Sequence, residues 1–369
     1  MKQTALVYCD DQFGQVDGKT ASGLIRHSET YTVVGIIDRS LAGKDAGEEL
    51  TGVKDGVPIF ADMADALHTL SSTPDCYIYG KAPLEACIST AERMLVLEAM
   101  GEGMDIINGL HQFFSDDREF VLKAAFHKIS ITDIRKPPHL RDLHVFSGRI
   151  AEVSVPVIAM LGTDCACGKG TTAIELNKAL NAAGIRSVLV ATGQTTVMQG
   201  AKYGAPIDAL VSQFVIGEIE HSVIEAFETE RPDIILVEGQ SAVSHPAFMS
   251  SIGILKGAMP NGVILQHPPA RKTRVDFPQL AMPTIDEEIR LIEAISPAAV
   301  VAIALSHEGM PAGKIERTIE DYETRLHLPT TDILDYGCDK IVEALIAKFP
   351  TLKRESKPRA AKALALVAS

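Results

Sequence analysis

The chain has 369 residues, 46% of them hydrophobic, and a formal net charge of −13 from 35 Lys and Arg against 48 Asp and Glu. That length is too great for one ordinary core and fits two domains; the acidic balance, with no basic stripe interleaved with aromatics, excludes a duplex nucleic-acid binder and leaves small metabolites as the expected partners. Six cysteines without a repeating frame fit free thiols in a reducing cytosol, the N-terminus MKQTALVYCDDQ lacks a long apolar signal region, and no apolar run reaches membrane-spanning length, so a soluble cytoplasmic protein is expected.

Up to about residue 150, short apolar runs alternate with helical patterns in the order that gives a parallel sheet covered by helices. Strands are expected at 4–8, 32–37, 57–60, 76–79, 104–107 and 129–133, and this half reads as Rossmann-like. No GxGxxG follows the first strand. Asp38 ends the second, where dinucleotide-binding folds keep an acid for a ribose, but without the glycine fingerprint the plainer reading is a solvated strand end. GQVDGKT at 14–20 mimics a phosphate loop and is discounted, because only three residues separate its glycines. The segment NGLHQFFSDD (108–117) follows a strand and opens a helix; a Ser-Asp-Asp cap accounts for Ser115 and one aspartate and leaves His111 unexplained. His111 and Asp117 are therefore candidates for an interdomain cleft that binds substrate.

The aperiodic, Pro-bearing stretch KPPHLRDLHVFSG (136–148) marks a boundary, giving domains at 1–150 and 151–350 and a mobile basic tail at 351–369. In the second domain strands are expected at 155–161, 187–191, 234–238, 263–266, 299–305 and 331–334, with helices at 171–183, 213–229, 285–295 and 340–348.

Between the first strand and first helix of that domain lies GTDCACGKGTT (162–172). Gly162 and Gly168 let the backbone turn so that its N–H groups converge on an anion, the helix N-terminus adds its dipole, and Lys169 adds a point charge. A strict Walker A loop has four residues between its outer glycines; here there are five. GTDxxxGK with that spacing resembles the loop of dethiobiotin synthetase and its relatives, in which a strand ending in VEG also follows, as DIILVEG does at 233–239. The Ser or Thr that normally follows the lysine and binds Mg²⁺ is replaced by Gly170, with hydroxyls displaced to Thr171 and Thr172. The residues leave two ligands open, ATP with Mg²⁺ and the diphosphate of acetyl-CoA.

Cys165 and Cys167 flank Ala166, where a helix N-terminus and Lys169 would favour a thiolate nucleophile; small loop-packing thiols are the plainer reading. GQTT at 193–196, with Gln194, comes after a strand at the same sheet edge and can face a ligand. Glu238, ending the VEG strand, is placed to act as general base or to hold a metal-bound water, and Gln240, Ser241 and His245 extend that edge. QHPPARKTR (266–274) concentrates positive charge in an acidic chain, which makes Arg271 and Arg274 candidates for the carboxylates of an acidic substrate or the extra phosphate of coenzyme A.

HQFFSDD, GTDCACGKGTT, ATGQTTVMQ, VEGQSAVSHP and QHPPARK, in this order, resemble the pattern of the DUF1611 family. The resemblance spans the chain to about residue 350. It implies an α/β protein with an N-terminal Rossmann-like parallel-sheet domain and a C-terminal three-layer P-loop domain like that of dethiobiotin synthetase. Within the family the chain resembles the bacterial D-glutamate N-acetyltransferases, which implies acetyl transfer from acetyl-CoA to the amino group of D-glutamate for catabolism through a partner racemase. On that resemblance Gly162, Thr163, Cys167, Gly168, Lys169, Gly170, Thr171 and Thr172 would hold the donor's phosphates. Glu238, Asp164 and His245 would supply proton transfer, His111, Asp117, Gln194, Arg271 and Arg274 would bind the acidic amino acid, and no metal is required. The rival expectation is an ATP- and Mg²⁺-dependent ligase or kinase with Asp164, Thr171 and Glu238 around the metal; a third is a regulatory nucleotide-binding module. A homodimer or larger homo-oligomer is expected.

Overall fold

Apolar runs that are buried on both faces can pair only as parallel strands with helices above and below, and this chain makes two such sheets. The computed structural model describes residues 2–83, 87–311 and 313–352; the expected tail therefore lies outside the described residues from 353 onward. No described helix is long and apolar enough to cross a membrane.

The first sheet comprises β1 (Gln3–Tyr8), β2 (Tyr31–Ile37), β3 (Ile59–Phe60), β4 (Cys76–Tyr79), β5 (Asp105–Asn108) and β6 (Ile131–Asp133), in the order β3-β2-β1-β4-β5-β6 with every pairing parallel. That is the strand order of dinucleotide-binding folds. β3 begins later than the expected 57, because the backbone at 57 and 58 is already paired: Ala46 N–H donates to Val57 O and Asp45 bridges Pro58 antiparallel.

The second sheet comprises β7 (Val157–Gly162), β8 (Ser187–Ala191), β9 (Tyr203–Gly204), β10 (Ile234–Glu238), β11 (Gly262–His267), β12 (Ala299–Leu305) and β13 (Thr330–Asp332), in the order β13-β12-β11-β7-β10-β8-β9, again all parallel. Two apolar clusters cover its faces, one containing Ala159, Leu161, Val237 and Leu265, the other Met160, Leu176 and Ile264. The strand expected to reach 334 stops at Asp332, whose carboxylate accepts from Leu334 and Asp335 N–H and so starts the helix Ile333–Tyr336. The expected loop after β8 contains a helix, Gln194–Met198, capped by Gly193. β9 is too short for periodicity to show; Gly204 there has φ +111°, and a Cβ would collide with the Ala191 backbone.

Because β7 lies between β10 and β11, the loops that leave the carboxyl ends of these three strands emerge side by side, where open α/β sheets bind ligands. The two sheets meet through the helices Lys19–Arg26 and Gln194–Met198. Thr20 and Thr195 hydroxyls hydrogen-bond at 2.8 Å, and Gln199 Nε2 donates to the carbonyls of Gly23 (2.7 Å) and His27 (3.1 Å). Arg135, buried, reaches across to Asp208 (2.9 Å) and Gln194 Oε1 (2.8 Å) while also donating to Gly109 O. Removing this guanidinium leaves a carboxylate, an amide and a carbonyl without their donor. Arg135→Ala should lower stability by about 2–3 kcal/mol, read as a fall in thermal midpoint with the secondary structure retained; an unchanged midpoint would show that the two halves do not depend on this contact.

Candidate functional site at the carboxyl edge of the second sheet

Two left-handed residues shape the phosphate loop: Ala166 at φ +44° and Gly168 at φ +103°. Gly162 is required by crowding, since a Cβ would come within 2.9 Å of both Cys167 Sγ and Lys169 Cδ. Among the described residues, no acceptor serves the backbone N–H groups of residues 165–170, so they form an open concave donor array at the start of the helix Lys169–Ala182. Lys169 is buried beside it, its Nζ donating to Asp164 O at 2.5 Å and standing 3.7 Å from Cys167 Sγ. Thr163 and Thr172 tie the loop to β11: Thr163 Oγ1 meets His267 Nδ1 at 2.9 Å and Thr172 Oγ1 donates to Gln266 Oε1 at 2.6 Å. Cys167 Sγ donates to Asp164 O at 3.3 Å, and Thr171 stays half-buried with its hydroxyl unengaged among the described residues.

Below the loop lies a charge cluster. Asp164, with no exposed surface, accepts from Arg271 Nη1 (2.9 Å), Val275 N–H (2.9 Å) and Arg274 Nη1 (3.5 Å). Arg271 also donates to the carbonyls of Cys165 and Ala166 and to Glu308, and Arg274 to Thr163 O, Ser244 O and Ser244 Oγ. The structure thus places both arginines against the loop's carbonyl side, engaged with protein groups.

Glu238 is engaged in the same way. One carboxylate oxygen accepts from Thr192 N–H (2.9 Å) and Gly193 N–H (3.0 Å), the other from Thr196 Oγ1 (2.7 Å). Burial pushes its pKa above the ordinary carboxylate value, opposed by these donors. A Cβ at Gly170 would come within 3.1 Å of Glu238 Oε1 and 3.4 Å of Thr196 Oγ1. A side chain at 170, where other phosphate loops carry a metal-binding hydroxyl, would press on the Glu238 and Thr196 oxygens, and glycine fits beside them without displacing either.

A third group gathers around Cys165. The His245 side chain is fully buried and stacks on Phe248 with ring centroids 4.8 Å apart. Its Nδ1 accepts from Ala247 N–H at 3.3 Å, so the neutral ring carries its proton on Nε2. Among the described residues that atom has no hydrogen-bond partner, and it lies 3.7 Å from Asp164 and 4.0 Å from Asp276. Burial first, and then Arg274, hold the ring's pKa below the ordinary histidine value, which keeps it neutral. Ser241 is buried at φ +55°, and its hydroxyl has only the Cys165 thiol beside it. Burial pushes the Cys165 thiol up to about 12, outweighing Lys169, which argues against a standing thiolate. Asp164, Cys165 and His245 present ligand atoms within 4.8 Å of one another. A metal bound through Nε2 would move the ring proton to Nδ1 and so displace the Ala247 N–H contact.

Gln194 and His111 lie at the domain interface: Gln194 accepts from Arg135, and His111 Nε2 is 3.8 Å from Asp208. Burial, then Arg135, lower the pKa of His111. Gln194 reaches the site through its neighbours Gly193 and Thr196. Asp117 is not brought to this edge. It is the aspartate of the expected Ser-Asp-Asp cap that caps the helix Arg118–His127, and it pairs with Arg93 at 2.7 and 2.8 Å, which holds its carboxyl down at about 2. Sequence reasoning missed Asp276, which sits in the aperiodic segment after β11 with no motif around it.

His267, buried beneath Thr163, has its pKa lowered from 6.5 to about 4 by burial and then by Arg325 and Arg271. Below pH 6.5 the unfolded chain takes up a proton that the folded ring refuses, so stability falls as pH drops from 6.5 towards 4. This residue should contribute about 3 kcal/mol to that loss. Urea unfolding of the wild type and of His267→Gln across this window should show a shallower slope in the variant; equal slopes would remove the assignment.

Residues 144–342 match the family model described as the domain of unknown function DUF1611_C, a P-loop domain, and residues 39–137 match DUF1611_N, a Rossmann-like domain. The crystal structure of a DUF1611 family protein from Anabaena variabilis superposes with a TM-score of 0.86 at 29% identity, covering 94% of this chain and 100% of that one. A D-glutamate N-acetyltransferase from Tritonibacter scottomollicae is 27% identical over 277 residues, 73% of this chain and 80% of its own. Another of that name from a Pseudoalteromonas species is 28% identical over 257 residues, 68% of this chain and 75% of its own. With matching domains in both halves and the strand orders and loop geometry described above, the chain belongs to the DUF1611 family.

Proposed function

We propose that the protein is an N-acetyltransferase that moves an acetyl group from acetyl-CoA to the amino group of D-glutamate. The observation that carries this reading is the open array of N–H donors at residues 165–170 beside Lys169, at an edge whose buried carboxylates Asp164 and Glu238 are both engaged by protein donors. Such an array suits the diphosphate of a carrier that is gripped and not cleaved. The ligase alternative requires Asp164, Thr171 and Glu238 to turn towards Mg²⁺. That would strip Arg271, Val275, Thr192, Gly193 and Thr196 of their acceptor. The names of the two relatives support the same reaction class.

In this reading the loop donors and Lys169 hold the phosphates, and the pantetheine arm is flexible enough to fold back along the sheet edge. Acetyl-CoA supplies an activated thioester: the amino acid's ammonium gives up one proton to solvent, the amine attacks the carbonyl carbon, the C–S bond breaks, and coenzyme A leaves as the free thiol with the second nitrogen proton. Donors at this edge offset the charge that develops on the carbonyl oxygen. The array works by position: Thr163 and Thr172 fix the loop on β11 while Arg271 and Arg274 hold its carbonyls turned away from the ligand.

A thiol-release assay with acetyl-CoA and a panel of D- and L-amino acids, with and without EDTA, tests the proposal. Release with D-glutamate should survive the chelator. Lys169→Ala should lower kcat/KM for acetyl-CoA by roughly ten- to a hundredfold, the worth of a charge-assisted hydrogen bond. No release with any amine, alongside Mg²⁺-dependent ATP binding, would sink the transferase and favour the ligase.

A further inference from the structure

Asp164, Glu238, Arg271 and Arg274 are the charged groups that sequence reasoning places in the chemistry, and all four are engaged by protein partners. Beside Cys165 the position is different. His245 Nε2 is buried without a hydrogen-bond partner among the described residues, and the buried Ser241 hydroxyl has only the Cys165 thiol beside it. Asp276 faces the Cys165 thiol and, at 4.0 Å, His245 Nε2. Cys165 links them in space: its thiol lies beside both Asp276 and Ser241, and it shares a 4.8 Å neighbourhood with His245. Burying a polar atom without a partner costs about 1–3 kcal/mol, and His245 Nε2 is such an atom, gathered with the Ser241 hydroxyl around Cys165 next to the open loop.

The signs of these groups define what would satisfy them. His245, with its proton on Nε2, offers a donor, and Ser241 offers a second; Arg274 and Lys169 add positive potential, while Asp164, 3.7 Å from Nε2, is itself neutralised by Arg271 and Arg274. Asp276 offers an acceptor and a negative charge and, like the half-buried Cys165, reaches solvent, at 19% side-chain exposure. A lone anion would be repelled by Asp276. A metal cation on Nε2 would force the ring proton onto Nδ1, against the Ala247 N–H. A ligand that carries a cation and an anion on one carbon meets both demands.

We infer that Ser241, His245 and Asp276, gathered around Cys165, form the subsite for the α-carboxylate and α-ammonium of a free amino acid. The ammonium faces Asp276, and the carboxylate accepts from His245 Nε2 and Ser241 Oγ. The inference rests on the transferase reading, for which it supplies the acceptor's position: the reacting nitrogen is held at the sheet edge within reach of a donor whose phosphates occupy the adjoining loop. It also gives Cys165 a place as the floor of the subsite.

The test uses the full chain and measures D-glutamate binding by calorimetry without acetyl-CoA, in the wild type, Asp276→Asn and Ser241→Ala, both confirmed as folded by their thermal midpoints. D-2-Hydroxyglutarate, in which a hydroxyl replaces the ammonium, is the comparison ligand. Asp276→Asn should weaken D-glutamate by about tenfold or more while changing D-2-hydroxyglutarate and acetyl-CoA affinity by less than about twofold. Ser241→Ala should weaken both acids. Unchanged D-glutamate affinity in both folded variants would overturn the subsite, as would a loss in Asp276→Asn that is equal for the two acids. The thiol-release assay is read separately: release by the wild type with unaffected variants overturns the subsite and leaves the transferase standing. Absence of release, with D-glutamate affinity still lost in Asp276→Asn, supports the subsite and overturns the transferase.

Discussion

A carboxylate with no exposed surface stays charged only if the protein supplies what water would have supplied, and Asp164 is in that position. Arg271, Arg274 and the N–H of Val275 meet it, and the same two guanidinium groups then extend to the carbonyls of Thr163, Cys165 and Ala166. With its carbonyls held from below, the loop presents its N–H groups upward. The segment after β11 is fixed by the same contacts, which brings Asp276 over the site.

Glu238 does for the neighbouring loop what Asp164 does for the phosphate loop. By accepting from Thr192, Gly193 and Thr196 it holds the turn after β8 against the start of the helix at Lys169, and the glycine at 170 fits beside it without displacing it. The departure from the usual lysine-serine pair therefore suits the packing. The two carboxylates that look most catalytic in the sequence are the ones that shape the site, and His245 Nε2 is left beside them without a hydrogen-bond partner among the described residues.

The N-terminal half is joined to this edge through the same short helix. Arg135 holds Gln194, Thr20 meets Thr195, and Gln199 is bound to the helix at Lys19–Arg26, while Thr196 of the short helix bonds Glu238. The Rossmann-like sheet thus bears on the turn that borders the phosphate loop without contributing a strand to it. That gives His111 and Gln194 a place at the junction of the halves.

Much of the fold can be read from the chain because parallel strands buried on both faces appear as uninterrupted apolar runs, and β4, β8, β10 and β12 fall where those runs predict. The phosphate loop is equally legible: glycines at positions of crowding or positive φ, followed by a lysine at a helix start, are local requirements written in local residues. The resemblance carried by five ordered motifs reached the family. Pairing of charges was not legible. Asp164 and Arg271 are 107 residues apart, and no periodicity tells which of several acids and bases in a sheet edge will neutralise each other and which will remain free. Asp276 lies in a segment without pattern, and its nearness to Cys165 and His245 exists only because β11 is placed beside β7. The elements and the loop were determined by the sequence by itself, since they depend on neighbours in the chain; the tertiary structure decided the occupancy of each polar group, since that depends on which strand ends the sheet order brings together.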